Sequence, residues 1–127
     1  MRSPGALSGA LQPGDIGSTG VLVGFLVTFQ NEPTGSSWLI RSGRLQLGRA
    51  GADARIDVGI NDASASSRHA SIVADPTTGQ AFIEDDGSRN GTFVNEQRVQ
   101  QGEQRQLHDN DRLRIGSTTF VIKLLVS

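Results

Sequence analysis

Short apolar runs separated by turn-forming residues dominate the chain from Val21 onward. The first run, VLVGFLVTF at residues 21–29, is rich in branched side chains and predicts a strand that is covered on both faces. Later segments alternate polar and apolar residues with a period of two, most clearly DRLRIG at residues 111–116. No segment of ten or more residues has helical spacing. The pattern predicts an all-β domain, an antiparallel β-sandwich, with a small α+β domain as the alternative.

Turn signals indicate how some of these strands connect. SWLIR and RLQLG flank Ser42-Gly43 and are predicted to form a hairpin, and HASIVAD and QAFIEDD flank the turn at residues 76–79 in the same way. FVN and QRV lie on either side of Asn95-Glu96. A tight turn there would need positive φ at both residues, which is costly for Glu, so we expect a loop longer than two residues.

The N-terminal segment differs from the rest of the chain. Half of residues 1–20 are Gly, Pro or Ser, and the segment has no hydrophobic periodicity. We therefore predict a flexible tail or linker over residues 1–20 and a single domain over residues 21–125.

Composition narrows the classes of function. The net charge of -1 argues against a general nucleic-acid binder. The absence of cysteine excludes disulfides and Cys-based zinc sites, and two histidines are too few for a His-rich metal site, so no metal or cofactor is predicted. The longest apolar run is too short to span a bilayer, and no signal peptide precedes it. These features predict a soluble cytoplasmic protein without a membrane partner.

Three polar segments contain more hydrogen-bond donors than a turn requires: GRAGAD, DASASSRH and DDGSRNGT. Loops at one end of a sandwich are a common place for binding residues. Their candidate side chains are Arg49, Ser64, Ser66, Ser67, Arg68, Ser88, Arg89 and Asn90. Guanidinium, hydroxyl and amide donors together suit an anion with several acceptor oxygens, and phosphate is the leading candidate.

Four blocks in this order resemble the forkhead-associated (FHA) domain family. They are LGR at 47–49, INDASASSRHA at 60–70, DDGSRNGTFVN at 85–95 and DNDRLRIG at 109–116. The resemblance covers about Val21 to Leu125. It implies a sandwich of about eleven strands that acts as a monomer and binds a threonine-phosphorylated protein or peptide in Ser/Thr-kinase signalling.

The resemblance also implies roles for single residues in phosphopeptide binding. Arg49 matches the phosphate-binding arginine, and Ser66 matches a serine that bonds a phosphate oxygen. Ser67 and Arg68 match positions that touch phosphate or peptide backbone in some members. As an alternative, Ser66 and Ser67 only form turns, because serine commonly bonds nearby backbone in loops.

The third block supplies the remaining positions of the implied site. Asn90 matches an asparagine that bonds the peptide main chain. Arg89 replaces a family Ser or Thr, and it is expected either to add a second cation to the phosphate site or to select an acidic residue of the ligand. Gly48, His69 and Gly91 are expected to support the site without touching the ligand.

Two other functions deserve comparison. His69 could serve as a metal ligand, or as a general base for Ser66 with Asp85 or Asp86 as the third member of a triad. No G-x-S-x-G elbow or evident oxyanion hole accompanies these residues, so we predict that the protein is not an enzyme. The closer alternative is an FHA-like scaffold that docks partners independently of phosphorylation.

Overall fold

The computed structural model describes residues 20–30 and 32–126. Apart from Gly20, the predicted N-terminal tail lies outside these residues. The described residues form eleven strands and no helix, which confirms the predicted all-β class. The strands are β1 (Leu22–Thr28), β2 (Ser36–Arg41), β3 (Gly43–Arg49), β4 (Val58–Ile60), β5 (Ala70–Ala74), β6 (Ala81–Asp85), β7 (Thr92–Val94), β8 (Gln97–Arg98), β9 (Arg105–Leu107), β10 (Arg112–Ile115) and β11 (Thr118–Leu124).

Two sheets form the sandwich. One has six strands in the order β2-β1-β11-β10-β7-β8, and the other has five in the order β4-β3-β5-β6-β9. Neighbouring strands are antiparallel, except that β3 and β4 run parallel, with Leu47 opposite Val58. Aliphatic side chains and Phe120 from both sheets fill the space between them. Period-two alternation explains this core, since every second side chain of a strand points to the same face.

The hairpin predicted around Ser42-Gly43 is wrong. Strand β2 pairs with β1 in the six-stranded sheet, whereas β3 pairs with β4 and β5 in the other sheet. Ile40 of β2 and Leu47 of β3 are both fully buried in the core, so the chain crosses from one sheet to the other at this corner. Gly43 has φ of 101°, a conformation that glycine adopts without steric cost.

Phe93 lies on the outer face of β7, opposite to its two neighbours. Thr92 and Val94 of β7 point inward and are buried, while Phe93 is only partly buried. The guanidinium of Arg114 lies 4.1 Å from the centre of the Phe93 ring, a cation–π contact on the outer face of the sheet.

The turn between β7 and β8 contains two residues, so the longer loop that we expected is not present. Asn95 has φ of 50° and Glu96 has φ of 65°. The Asn95 amide donates to Asp111 at 2.9 Å and accepts from the backbone N–H of Arg112 at 3.0 Å. Glu96 forms an ion pair with Arg114, with 2.9 Å between Nη2 and Oε1. These contacts offset the cost of a left-handed backbone at two non-glycine residues.

Strand directions bring three connections to one end of the sandwich. Strands β3 and β4 are parallel and both end there. Strand β5 is antiparallel to β3, and β6 is antiparallel to β5, so β6 also ends there. The β3–β4 (50–57), β4–β5 (61–69) and β6–β7 (86–91) loops are therefore neighbours, and they carry the three donor-rich segments.

The β7–β8 turn yields a prediction on stability. We expect Asn95→Ala to lower the free energy of unfolding by about 1–3 kcal/mol, because alanine is strained at positive φ and loses both side-chain hydrogen bonds. Denaturant unfolding monitored by circular dichroism measures this difference. Asn95→Gly removes the bonds without the strain and should therefore lose less. Equal stability of Asn95→Ala and the wild type would contradict the role given to this turn.

Candidate functional site

The end of β3 and the β4–β5 and β6–β7 loops enclose a depression of about 270 Å³ at this end of the sandwich. Five of the six predicted phosphopeptide-binding residues line it: Arg49, Ser66, Ser67, Arg89 and Asn90. The other lining residues are Ala63, Ser64, Ala65 and Gly87. Residues far apart in the sequence are thus brought to one concave surface, and none of those that line it carries a carboxylate.

Arg49 is fixed at the end of β3 and remains exposed. Its backbone N–H donates to the carbonyl of Ser66 at 2.9 Å, and its Nη1 donates to the carbonyl of Ala65 at 2.9 Å. It forms no ion pair within residues 20–30 and 32–126. The guanidinium is therefore held at the rim of the depression with its positive charge uncompensated by a carboxylate.

Gly48 permits the close contact between β3 and the β4–β5 loop. A Cβ atom at this position would lie 2.1 Å from the carbonyl oxygen of Ser67 and 2.8 Å from Cδ1 of Ile56. Any side chain would force the strand and the loop apart. A glycine directly before Arg49 is thus a steric requirement of the site.

Ser66 links the β4–β5 loop to the β6–β7 loop. Its Oγ accepts a hydrogen bond from the backbone N–H of Arg89 at 3.0 Å. This contact occupies an acceptor position and leaves the hydroxyl proton free to be donated. The guanidinium of Arg89 makes no hydrogen bond to any other described residue, so a second positive charge borders the depression.

His69 lies directly beneath these loops and is fully buried. Its Nδ1 accepts from the backbone N–H of Ser66 at 2.9 Å, so Nε2 carries the proton and donates to the carbonyl of Gly91, also at 2.9 Å. Both ring nitrogens are engaged by backbone groups. The geometry leaves His69 no free nitrogen with which to deprotonate the Ser66 hydroxyl or to ligate a metal.

Asn90 and Gly91 shape the β6–β7 side of the depression. The Asn90 Nδ2 donates to the carbonyl of Ser64 at 2.9 Å, and the remaining polar atoms of this exposed amide are free of hydrogen bonds within the described residues. Gly91 has φ of 90°, and its N–H donates to Ser88 Oγ at 3.0 Å. Ser88 therefore turns inward and supports the loop.

Asp85 organises the same loop from inside. Burial raises the pKa of its carboxyl, but hydrogen bonds from the hydroxyls of Ser88 and Thr92 and from the N–H groups of Ser88 and Gly87 outweigh burial and leave the pKa below its ordinary value. The carboxylate is saturated by these donors. Asp85 thus acts as a structural anion that points away from the depression.

Asp62 is a second carboxylate that stabilises a loop of the site by accepting several hydrogen bonds. It was not identified from the sequence. The carboxylate accepts from Ser64, from the backbone N–H of Ser117 at 2.8 Å and from Thr118 Oγ1 at 2.8 Å, so it joins the β4–β5 loop to the β10–β11 turn. These bonds, led by the Ser64 hydroxyl, hold the pKa of Asp62 well below its ordinary range. The Asp62-x-Ser64 spacing could have indicated this role, because an aspartate often accepts a hydrogen bond from the backbone N–H two residues later in a turn.

Arg68 is the predicted site residue that the structure does not bring to the depression. It is exposed and lies outside the lining residues. The pKa of Asp53 is lowered to about 2, mainly by hydrogen bonds from Arg55, with a smaller contribution from the charge of Arg68. Arg68 is therefore close enough to the β3–β4 loop for its charge to act on Asp53.

The described part of the chain contains no cluster of three or more His, Cys, Asp or Glu side chains that could hold a metal ion. Within the same residues, no helix is long and apolar enough to cross a membrane.

Comparisons with known proteins agree with this geometry. The family model for the FHA domain matches residues 45–116, and the chain belongs to this family. FHA domains are interaction modules. A curated relative, the ABC transporter ATP-binding/permease protein Rv1747 of Mycobacterium tuberculosis, is 40% identical over 79 residues. That match covers 62% of this chain and only 8% of the transporter protein.

Solved structures show the same fold. An FHA domain studied for its phosphothreonine-dependent interactions superposes with a TM-score of 0.66 and 29% identity, covering 80% of this chain and 96% of that one. The FhaA FHA domain in complex with the intracellular domain of Rv3910 superposes with a TM-score of 0.63 and 30% identity, covering 80% of this chain and 99% of that one.

The buried position of His69 predicts the effect of removing it. His69→Ala should lower the free energy of unfolding by at least about 2 kcal/mol, since it leaves the Ser66 N–H and the Gly91 carbonyl without partners. Thermal and denaturant unfolding measure the loss. The exposed His108 offers a matched control, and His108→Ala should change stability by less than about 0.5 kcal/mol. Equal effects of the two substitutions would contradict the structural role of His69.

Asp62 predicts a dependence of stability on pH. Because its folded-state pKa is depressed, the carboxylate stabilises the fold above its ordinary pKa of 3.8, and this contribution is lost as the pH falls below that value. Asp62→Asn should therefore be less stable than the wild type at neutral pH, and the difference should shrink in acid. Urea unfolding across this range measures it. A difference that does not vary with pH would refute the linkage.

Proposed function

We propose that this protein binds threonine-phosphorylated segments of partner proteins through the depression formed by the end of β3 and the β4–β5 and β6–β7 loops. The observation that carries the proposal is the convergence of two guanidiniums, from Arg49 and Arg89, with the Ser66 hydroxyl around a surface without carboxylates. Neither guanidinium forms an ion pair with a carboxylate of the described residues. A phosphate carries nearly two negative charges at neutral pH and three strong acceptor oxygens, which matches this set of donors.

In the proposed complex, Arg49 provides the principal charge, because its planar fork can bond two phosphate oxygens at once. The Ser66 hydroxyl donates to a third oxygen. Hydrogen bonds to charged groups contribute about 1.5–3 kcal/mol each. Two or three such bonds, less the cost of ordering an extended peptide, correspond to micromolar affinity, about -8 kcal/mol.

The other proposed ligand contacts come from Ser67, Asn90 and Arg68. Asn90 has unused amide atoms that can bond the main chain of the bound segment next to the phosphothreonine. Ser67 borders the depression and is exposed. Because Arg68 lies outside the lining residues, we assign it to ligand residues farther from the phosphate and not to the phosphate itself.

Two relatives support the proposed phosphothreonine dependence and the proposed protein partner. One similar FHA domain has phosphothreonine-dependent interactions, and another binds the intracellular domain of a partner protein. By extension, we propose a partner phosphorylated by a Ser/Thr kinase in the cytoplasm, and binding without catalysis or cofactor. A scaffold independent of phosphorylation is less favoured, because it would leave Arg49 and Arg89, which form no ion pair with any described carboxylate, without a binding role.

Replacing the principal cation tests the function. Arg49→Ala should weaken binding of a phosphothreonine peptide at least tenfold while leaving the melting temperature close to that of the wild type, because the exposed guanidinium makes few contacts within the protein. Titration calorimetry beside thermal unfolding measures both quantities.

Arg44→Ala, earlier on the same strand, is the matched control, and the unphosphorylated peptide tests the phosphate requirement. Arg44 pairs with Glu84 outside the depression, so its removal should leave affinity unchanged. Wild-type binding that is equally strong without the phosphate, or an Arg49→Ala variant with unchanged affinity, would refute the proposal.

A further inference from the structure

A second, smaller depression lies at the same end of the sandwich, where the edge strands β2 and β4 leave a gap between the two sheets. It has a volume of about 150 Å³, enough for part of one long side chain. We call it the edge crevice. Its floor and walls include Trp38, Ile60 and Phe120, and Glu32, Asn61 and Thr118 lie around them.

The edge crevice and the proposed phosphate site are both lined by residues of the β4–β5 loop. Asn61 lines the crevice, while Ala63 and Ser64, only a few positions later, line the phosphate depression. Asp62 lies between them and bonds both Ser64 and Thr118. Because Asn61 and Ser64 are three positions apart, their Cα atoms are separated by no more than about 11 Å. An extended peptide advances about 3.3 Å per residue, so a segment bound at the phosphate site can reach the crevice within about four residues.

The chemistry of the crevice differs from that of the phosphate site. Trp38 is half-buried and packs its ring edge-on against Phe120, with 5.9 Å between the ring centres. Glu32 is the charged residue among those that line the crevice; it is exposed and makes no ion pair within the described residues. Nearby Gln30 is not available to a ligand, since its amide already bonds the backbone of Ser117 and Thr119.

An indole ring and an aliphatic floor beside one free carboxylate suit a lysine or arginine side chain. Its methylene stem can pack on apolar surface while its cationic head faces the indole and the carboxylate. We propose that the edge crevice binds a Lys or Arg side chain of the phosphorylated segment, within about four residues of the phosphothreonine. This inference rests on the proposed function, because the phosphate site brings the segment to the crevice.

Trp38 gives the inference a direct readout, since it is the single tryptophan of the chain. The probes are phosphothreonine peptides without Trp or Tyr, with Lys placed in turn at each position near the phosphothreonine and Ala elsewhere. At one or two adjacent positions, Lys should tighten binding about threefold to tenfold and change the Trp38 emission. A peptide with norleucine at that position keeps the stem without the charge and should lose most of the gain.

Glu32→Gln tests the carboxylate in the protein itself. It should remove most of the preference for Lys while leaving the affinity for the Ala-flanked phosphopeptide unchanged. Asp75→Asn is the matched control, because it removes one negative charge from the β5–β6 turn, at the opposite end of the sandwich from the β6–β7 loop. The Asp75→Asn protein should keep the full preference for Lys.

The outcomes separate this inference from the proposed function. If the Ala-flanked phosphopeptide binds but Lys gives no gain at any position, the edge-crevice inference is overturned and the phosphate site stands. Equal binding of norleucine and Lys, or a Glu32→Gln variant that retains the preference, also overturns it. If no phosphothreonine peptide binds in a phosphate-dependent manner, both the inference and the proposed function fail.

Discussion

The hydrogen bonds of one buried imidazole hold the candidate site together. His69 accepts from the Ser66 N–H and donates to the Gly91 carbonyl, so it joins two loops that have no strand pairing with each other at this point. Because the ring is fully buried, breaking either bond would leave an unsatisfied polar group away from water. The distance between Ser66 and the Arg89 backbone, and with it the width of the depression, therefore depends on a residue that lies beneath the site and not on its surface.

The polar residues of these loops divide into two groups with different tasks. Asp62 and Asp85 are saturated by hydroxyl and N–H donors, some from the adjacent loop and some from neighbouring strands and turns, which fixes the backbone and directs their negative charge away from the depression. Arg49 and Arg89 have no carboxylate partner among the described residues and border the depression. A phosphate would not have to displace an existing ion pair, and it would replace solvent around donors that are already positioned. Pre-positioned donors of this kind reduce the entropy that a ligand loses on binding.

The sequence predicted most of the site because its signals are local. The glycine before Arg49 indicates a close approach of two backbones, and Gly48 makes that approach in the structure. The Asn-Gly pair before β7 indicates a turn with positive φ, and Gly91 has it. Features that depend on the packing of distant strands were not predictable in this way. The alternation of apolar residues predicts that β2 and β3 are strands, but it does not predict that the chain crosses from one sheet to the other between them. The same alternation does not show that Phe93 faces outward under Arg114, or that Arg68 lies outside the lining of the depression.

The charges at this end of the sandwich are separated by sign, which the net charge of the chain does not show. The whole chain carries only -1, so its long-range field attracts neither anions nor cations strongly. At the rim, however, Arg49 and Arg89 border one depression, and Glu32 borders the adjacent edge crevice. Salt screens exposed charges beyond about 8 Å at physiological ionic strength, so these charges would act mainly on ligand groups that come close to them. A segment that carries phosphate and a nearby basic side chain would satisfy both sites, whereas a phosphate flanked by acidic residues would place like charge against Glu32.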